Sequence, residues 1–460
     1  MTQIPLQYFE SAHEVGSAPQ NTEALSVAFQ TLGCKVNRYE TDAVKEAFLQ
    51  AGFIVREESD TVDVFVINTC TVTSEADRKS RQMIRRAQKQ HPGSLVVAMG
   101  CQVEMSPQES EADIASGTRN RNRLVNRVLQ ELGRSLPAKN EEESCLLAGD
   151  IPEAFEELGP VLSQEETRAY IKIQDGCDSF CSYCIIPYAR GRIRSRLHED
   201  ILTEAGALVE KGFLEIVLTG IHICSYGRDR GQGIEALTAV ISDLSAIHGI
   251  RRIRLGSLEP TALTAEFFDR IQSVEKLCPH FHISLQSGSD TILRKMNRKY
   301  DTANFREGVR LLRSYFPSAS ITTDIIVGFP GEDREEHTRS LSFCEEIGFS
   351  KIHVFPYSER PGTRAASMTP KVTKEEKSRR AAEFLALSDR MAREFHDKMV
   401  GSRHEVLVEG TDSDGIISGY AGNYVRTFFS SDEAFEPNTI VSVHVDQATV
   451  EGVIGHVEKL

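Results

Sequence analysis

Asp175-Gly176-Cys177-Asp178-Ser179-Phe180-Cys181-Ser182-Tyr183-Cys184 carries three cysteines in the spacing Cys-x3-Cys-x2-Cys. Three thiolates this close can hold three irons of a four-iron cluster, because soft sulfur ligands suit iron–sulfur chemistry. One iron is then left without a protein ligand and can take a substrate or cofactor. The alternative is a structural zinc knuckle, which needs a fourth ligand. No Cys or His follows at short spacing; the next His is His198.

The decapeptide follows an apolar run, Ala169–Ile173, that reads as a strand. Further strand candidates alternate with helical stretches: Glu215–Leu218, Arg252–Leu255, His282–Leu285, Ile321–Ile326 and Lys351–Phe355. Six βα units suggest a partial, open (βα)6 barrel, whose active-site residues belong at the C-terminal ends of the strands. The cysteine loop follows the first strand, as that rule requires. Cys224, Cys278 and Cys344 lie in no motif and read as structural.

Upstream, Leu25–Thr31, Val62–Ile67 and Leu95–Met99 read as buried parallel strands. Helices over Arg38–Ala51 and from Ser74 to Gln90 separate them. This is a βαβαβ unit, an open parallel α/β sheet. Cys34, Cys70 and Cys101 each sit just past the C-terminal end of one strand. In an open α/β sheet those ends share one edge, where ligands bind. Three such placements point to a second three-thiolate site; the alternative is three independent small buried residues.

Composition bounds the rest. The chain has 460 residues, 40% hydrophobic and 26% charged, with a net charge of −14. That balance is globular and argues against an indiscriminate nucleic-acid binder. No apolar run approaches bilayer length. Met1–Leu25 lacks the basic start and apolar core of a signal peptide and reads as a polar extension. Ten cysteines without a secretory signal suit a reducing compartment and ligand duty. Basic residues cluster locally at Arg78, Lys79, Arg81, Arg85, Arg86 and Lys89, with Arg119, Arg121, Arg123 and Arg127 as an extension. They read either as a solvated helix face or as a phosphate-contacting one. Arg190, Arg192, Arg194 and Arg196 could bind phosphates or stabilise loops; substrate RNA is the preferred reading.

Ser135 to about Gln164 is rich in Glu, Pro and Gly and reads as a connection, with Cys145 a bystander in it. Val372–Met399 is strongly helical. Short strands follow at Glu405–Val408, Ile416–Gly419, Val425–Phe429, Thr439–Val445 and Val453–Val457, the pattern of a small β-barrel. Residues 401–460 hold ten acids against three Lys or Arg, so this barrel alone is a poor grip for RNA. Its aromatics Tyr420, Tyr424, Phe428 and Phe429 could stack bases or form core.

The cysteine loop, with an aromatic, Tyr183, before its last cysteine, resembles the signature of the radical S-adenosylmethionine (SAM) enzymes. Thr31-Leu32-Gly33-Cys34-Lys35-Val36-Asn37-Arg38-Tyr39-Glu40-Thr41, Asn68-Thr69-Cys70-Thr71-Val72-Thr73 and Gly100-Cys101 resemble the N-terminal domain of the methylthiotransferases. Their wording is closest to the branch acting on N6-threonylcarbamoyladenosine in tRNA. The resemblance spans roughly residues 24–460. It implies an N-terminal domain at 24–135, a linker at 136–164, a radical SAM domain at 165–400 and an OB-like TRAM β-barrel at 401–460. It implies two [4Fe–4S] clusters, one on Cys177, Cys181 and Cys184, which splits SAM to a 5′-deoxyadenosyl radical, and an auxiliary one on Cys34, Cys70 and Cys101. One SAM methylates cluster-bound sulfur and a second yields the radical that activates adenine C2.

Strand-end segments match in order. Leu218-Thr219-Gly220 sits where the family meets the SAM amino group. Glu259 of Gly256-Ser257-Leu258-Glu259-Pro260 is placed to bond a ribose hydroxyl. Gln286 lies in Ser284-Leu285-Gln286-Ser287-Gly288-Ser289, followed by Met296-Asn297-Arg298. The run from Thr323 to Glu332 is similar to the segment that flanks adenine. The implied product is the 2-methylthio derivative beside the anticodon. A tRNA anticodon loop and an external electron donor are the expected partners, in a cytoplasmic, monomeric enzyme without membrane contact. Rival readings are a methylthiotransferase for isopentenyl-adenosine or a ribosomal-protein aspartate, and a non-catalytic iron–sulfur electron carrier or RNA-binding scaffold.

Overall fold

The computed structural model describes residues 24–134, 154–431 and 433–457. Most of the expected N-terminal extension and Cys145 lie outside these residues.

The N-terminal sheet has five strands: β1 (Ser26–Thr31), β2 (Ile54–Val55), β3 (Val64–Thr69), β4 (Leu95–Gly100) and β5 (Ile114–Ser116). All pairings are parallel, in the order β2-β1-β3-β4-β5. β2 and β5 were not anticipated; at two and three residues they are too short to show a period. β3 is buried at every position because apolar layers cover both sheet faces. Val27, Val64, Val66 and Val97 pack with Val44 and Phe48 of helix α1 (Lys35–Gln50). Ala28, Phe65, Ile67 and Ala98 pack with Ile84 and Ala87 of α2 (Ser74–Gln90). From β1 the chain runs to β2 on one side, then returns past β1 to β3. That reversal opens a crevice at the carboxyl ends of β1 and β3. Cys34 caps α1 there, Cys70 follows β3, and Cys101 begins the short helix α3 (Cys101–Met105) after β4. The helix expected from Ser74 begins there, and Thr73 caps it, its side chain accepting from Ala76 N.

The central unit is a six-stranded parallel half-barrel. One sheet holds β6 (Ala169–Asp175), β8 (Glu215–Gly220) and β9 (Arg252–Leu255), with β7 (Arg194–Ser195) as an antiparallel edge. The other holds β10 (His280–His282), β11 (Ser320–Val327) and β12 (Lys351–Pro356). Isolated bridges, Ile253↔Leu277 and Leu258↔Ile283, join the two. β10 ends at His282 rather than Leu285, because the carbonyls of Ser284 and Leu285 accept from the Tyr300 hydroxyl, each at 2.7 Å, instead of from a strand.

Alternation along the strands splits the chemistry. Ile171, Ile173, Ile216, Leu218, Ile253, Phe281, Ile321 and Ile352 face the surrounding helices in one apolar core. The opposite faces carry Lys172, Gln174, Glu215, Thr219, Arg254, His280, His282, Thr322, Asp324 and His353. A (βα)8 barrel fills its interior with branched apolar side chains; this lumen is polar.

The last five strands, β13 (Arg403–Thr411), β14 (Ile417–Ala421), β15 (Arg426–Ser430), β16 (Ile440–Ala448) and β17 (Val453–Val457), form the expected closed barrel. It docks on the N-terminal ends of the half-barrel strands. Arg252 donates to the carbonyls of Tyr420 and Glu405, and Arg254 to that of Gly422. Tyr424 fills the floor of the lumen, 4.8 Å from the His280 ring and 4.5 Å and 5.1 Å from the guanidiniums of Arg254 and Arg168. It stacks on Tyr420 at 4.8 Å. Neither tyrosine is a free stacking platform, and Phe429 lies in the barrel core. Replacing Tyr424 by Ala removes these cation–π and stacking contacts and is expected to cost about 2 kcal/mol. A lower urea midpoint would show it; an unchanged midpoint would mean the floor contacts do not hold the two units together.

Candidate active site between two thiol triads

Cys177, Cys181 and Cys184 lie in the loop after β6, at the rim of the half-barrel. Backbone bonds fold the loop: Cys177 N donates to Gly191 O and Cys184 N to Cys181 O, both at 3.0 Å. Gly176 is forced by φ +72° and by the carbonyl of Arg192, which would lie 1.8 Å from a Cβ there. Two sulfurs already receive N–H donors: Ser179 N reaches Cys177 Sγ at 3.4 Å and Arg298 Nη1 reaches Cys181 Sγ at 3.2 Å. Hydrogen bonds to sulfur are how proteins stabilise and tune iron–sulfur clusters. Burial pushes the neutral Cys184 thiol up to about 12, so this sulfur favours a proton until a metal displaces it.

The second triad forms at the crevice of the N-terminal sheet. Gly33 and Gly100, with φ +113° and +102°, precede Cys34 and Cys101. A Cβ on Gly33 would stand 3.1 Å from Cys70 Sγ, and one on Gly100 would stand 2.4 Å from Asn68 Oδ1. Both glycines therefore let the strand-end loops close on one another. Burial pushes Cys101 up to about 12, with Arg190 pulling against it and the Cys34 and Cys70 thiols adding to it.

Neither triad gathers its three sulfurs within 4.8 Å, the compactness expected around one ion; among the described residues only His444, Asp446 and His456 do. Those three satisfy one another, each carboxylate oxygen of Asp446 facing one imidazole Nδ1 at 3.3 and 2.7 Å.

A buried ionic network joins the triads. Arg190 is fully buried. It donates to Glu40 at 2.7 and 3.0 Å, to Asn37 Oδ1 at 2.8 Å and to Asp175 at 3.2 Å. Lys172 bridges Glu40 and Asp175 at 2.7 and 2.6 Å, and Arg121 adds a pair to Glu40 at 2.9 Å. Asn37 in turn donates to the carbonyls of Leu32 and Thr69, beside Cys34 and Cys70. The Nε of Arg190 is buried without an acceptor among the described residues. A cationic, unsatisfied donor beside three thiols fits an anionic cluster at this crevice.

The arginine run therefore departs from the expected RNA-contacting role. Arg190, Arg194 and Arg196 are buried in ion pairs, and only Arg192 is exposed, over Phe180 at 5.4 Å. Arg119 and Arg121 likewise pair inward, with Glu104 and Glu40. On α2, Arg78, Arg81 and Arg85 face Glu75, Glu109 and Glu111, whereas Lys79, Arg86 and Lys89 are exposed and outside any ion pair with a described residue.

The other expected site residues ring the rim. Tyr183 packs against Met296, Phe329 and Tyr357. Thr219 is buried at the end of β8, and Gly220 leaves room for Gln174, whose Oε1 would be 3.2 Å from a Cβ there. Gln286 holds φ +71° between Asp324 O and Ile326 N. Glu259 is engaged by Arg298 Nη2 at 2.8 and 2.9 Å, with His222 at 3.5 Å. Arg298 thus spans Glu259 and Cys181. The sequence carries it in the Met296-Asn297-Arg298 run, but nothing in the spacing ties it to the thiol loop. Arg190, Lys172 and His222 gave no sequence signal of a shared site, because each pairs with a residue distant in the chain.

The sequence matches the radical SAM superfamily over residues 171–344 and the family described as uncharacterized protein family UPF0004 over residues 26–117. It is 40% identical over 417 residues to the threonylcarbamoyladenosine tRNA methylthiotransferase MtaB of Bacillus subtilis (strain 168), covering 89% of this chain and 91% of that one. The chain belongs to the radical SAM methylthiotransferases. The Aquifex aeolicus (strain VF5) protein of the same name is 39% identical over 84% of this methylthiotransferase and 93% of its own length. A tRNA-2-methylthio-N(6)-dimethylallyladenosine synthase of Pelotomaculum thermopropionicum is 33% identical over 92% and 95%. In fold, the methylthiotransferase resembles the radical SAM methyltransferase TsrM from Kitasatospora setae, with a TM-score of 0.57 and 13% identity over 75% of this chain and 74% of that one. Enzymes of this family use SAM and [4Fe–4S] clusters, which the sulfur-rich rim fits. No helix among the described residues is long and apolar enough to cross a membrane.

Arg190 dictates a test. Burial pushes the Glu40 carboxyl up, but Arg121, Arg190 and Lys172 together outweigh it and hold it at about 2. A carboxyl held below its ordinary 4.5 contributes stability that is complete above that pH and lost as pH falls towards 2. Arg190→Leu leaves Glu40 and Asp175 short of a cation. It is expected to cost about 3–5 kcal/mol at neutral pH and to flatten the acid limb of the stability profile. A urea midpoint and acid limb matching wild type would show that the network does not hold the two units together.

Proposed function

We propose that this chain is a tRNA modification enzyme that methylthiolates C2 of N6-threonylcarbamoyladenosine next to the anticodon. It would use two SAM molecules and two [4Fe–4S] clusters, and take its electron from an external donor. The observation that carries the reading is the pair of thiol triads held across one buried ionic network, with a polar lumen beneath the rim. The relatives with the highest identity quoted above bear the threonylcarbamoyladenosine name. The reading also has the protein act as a cytoplasmic monomer.

Cys177, Cys181 and Cys184 would hold the cluster that, when bound, supplies the electron for SAM cleavage. Cys34, Cys70 and Cys101 would hold the auxiliary cluster. Arg298 keeps Cys181 and Glu259 in register through its two terminal nitrogens. It thereby fixes the thiol loop relative to the strand end where Glu259 would bind ribose. Tyr183, Thr219, Gly220 and Gln286 would form the remaining SAM contacts. Arg190 offsets negative charge accumulating at the auxiliary site. Lys79, Arg86 and Lys89 on α2 are the exposed cations available for phosphates. A target base must be splayed out to reach the rim, which single-stranded loops allow. Methylthiolation of isopentenyl-adenosine is the second reading, supported by relatives named for dimethylallyladenosine.

Anaerobic reconstitution with iron and sulfide tests the proposal. Wild type is expected to hold about eight irons, and the Cys177→Ala/Cys181→Ala/Cys184→Ala and Cys34→Ala/Cys70→Ala/Cys101→Ala variants about four each. With SAM, reductant and hypomodified tRNA, wild type alone should yield both 5′-deoxyadenosine and 2-methylthio-N6-threonylcarbamoyladenosine by nucleoside mass analysis. Four irons in wild type would remove the auxiliary cluster. A 2-methylthio-isopentenyl product alone would move the substrate to the second reading.

A further inference from the structure

The residue after Cys34 is Lys35, the first of α1. Its Nζ stands 5.9 Å from the centre of the Tyr424 ring at the lumen floor. Its electrostatic neighbours are Arg168, Arg254 and Glu215, and its charge is felt at His280 on β10 and His353 on β12. These residues belong to inner faces on opposite sides of the half-barrel, so the ammonium lies within the lumen. Lys35 is solvent-exposed there.

What distinguishes Lys35 is the lack of an anion. No hydrogen bond or ion pair joins its Nζ to a described residue, and the Tyr424 ring is the group it lies over. Every carboxylate nearby is already taken. Glu215 pairs with Arg254 at 2.6 Å and with Arg252 at 3.7 Å. Glu409 pairs with Arg168 at 2.8 Å. Asp324 faces His282 at 3.2 Å. The floor therefore carries cations in excess of acids, with one ammonium open to the cavity. A guest that supplies the missing anion gains a charge-assisted hydrogen bond there.

We propose that Lys35 is a specificity-determining residue that receives the carboxylate of the substrate's N6 side chain, and so selects threonylcarbamoyl over the uncharged isopentenyl group. This rests on the substrate reading above. C2 and C6 flank N1 on the adenine ring and their substituents leave it in different directions, so a base that offers C2 to the rim can carry its N6 side chain into the lumen. An isopentenyl group there would leave the ammonium unpaired and further dehydrated. A site built for a polar group rejects an analogue lacking it in that way.

The test uses cluster-loaded, full-length protein and anticodon stem-loops that carry N6-threonylcarbamoyladenosine, its threonine-carboxamide counterpart, or isopentenyl-adenosine. Kd is read by fluorescence anisotropy and kcat/KM by product mass, with iron counted in every variant because Lys35 adjoins Cys34. Wild type should prefer the acid to the amide roughly 10- to 100-fold. Lys35→Met should lose that preference while binding the amide as wild type does, and Lys35→Arg should restore most of it. A Lys35→Met protein that still discriminates, or that weakens on acid and amide alike, overturns the assignment. Failure of the substrate reading looks different: wild type would then modify the isopentenyl loop and leave the threonylcarbamoyl loop unmodified.

Discussion

One guanidinium, that of Arg190, ties the two halves of the rim together. It emerges from the segment just past the Cys177–Cys184 loop and is buried among Glu40, Asn37 and Asp175. Through Gly191 it adjoins the backbone of Cys177, and through Asn37 the loops that carry Cys34 and Cys70. Buried ion pairs seldom add net stability, because desolvation consumes the Coulombic gain. Their value lies in direction: a planar fork with several acceptors tolerates one mutual placement of its partners. Two thiol sites built on separate sheets are thereby held in a fixed relation.

A second constraint is the reversal of the usual barrel interior. Apolar side chains occupy the outer face of the strands, where helices bury them, and the inner face is left to ionisable groups. Such a lumen is not stable as a dry core and must be wetted or filled. The C-terminal barrel meets part of that need. Its β14–β15 turn places Tyr424 against Arg254 and His280, where the ring face adds to the Glu215 carboxylate that Arg254 already meets. Of the barrel's acids, Glu409 docks on Arg168 and Glu405 on Arg251, while two backbone carbonyls accept from Arg252.

The architecture was legible because its signals are local. Apolar runs that each end at a cysteine marked β1, β3 and β4, and a succession of short strand-like runs marked all five strands of the C-terminal barrel. The placement of Cys34, Cys70 and Cys101 was legible because topology puts parallel strand ends on one edge. What escaped was whatever depends on pairing across the chain. Arg190, Arg194 and Arg196 read as a basic patch, since four arginines in seven residues look exposed until their acids are known; Glu40, Asp175 and Glu204 lie on other elements. Tyr424 read as a stacking platform or core for the same reason. β10 was placed too late because a hydroxyl, Tyr300, takes the carbonyls that a strand would have used.

The occupied floor has a bearing on traffic. With Tyr424 filling the lumen at the N-terminal ends of the strands, that end offers no exit, and everything that enters the half-barrel shares the rim with everything that leaves it. A bulky guest lying over the rim becomes a stopper for smaller molecules beneath it. Departure then follows a last-in, first-out order, with the large guest withdrawing before the spent small ones can be exchanged.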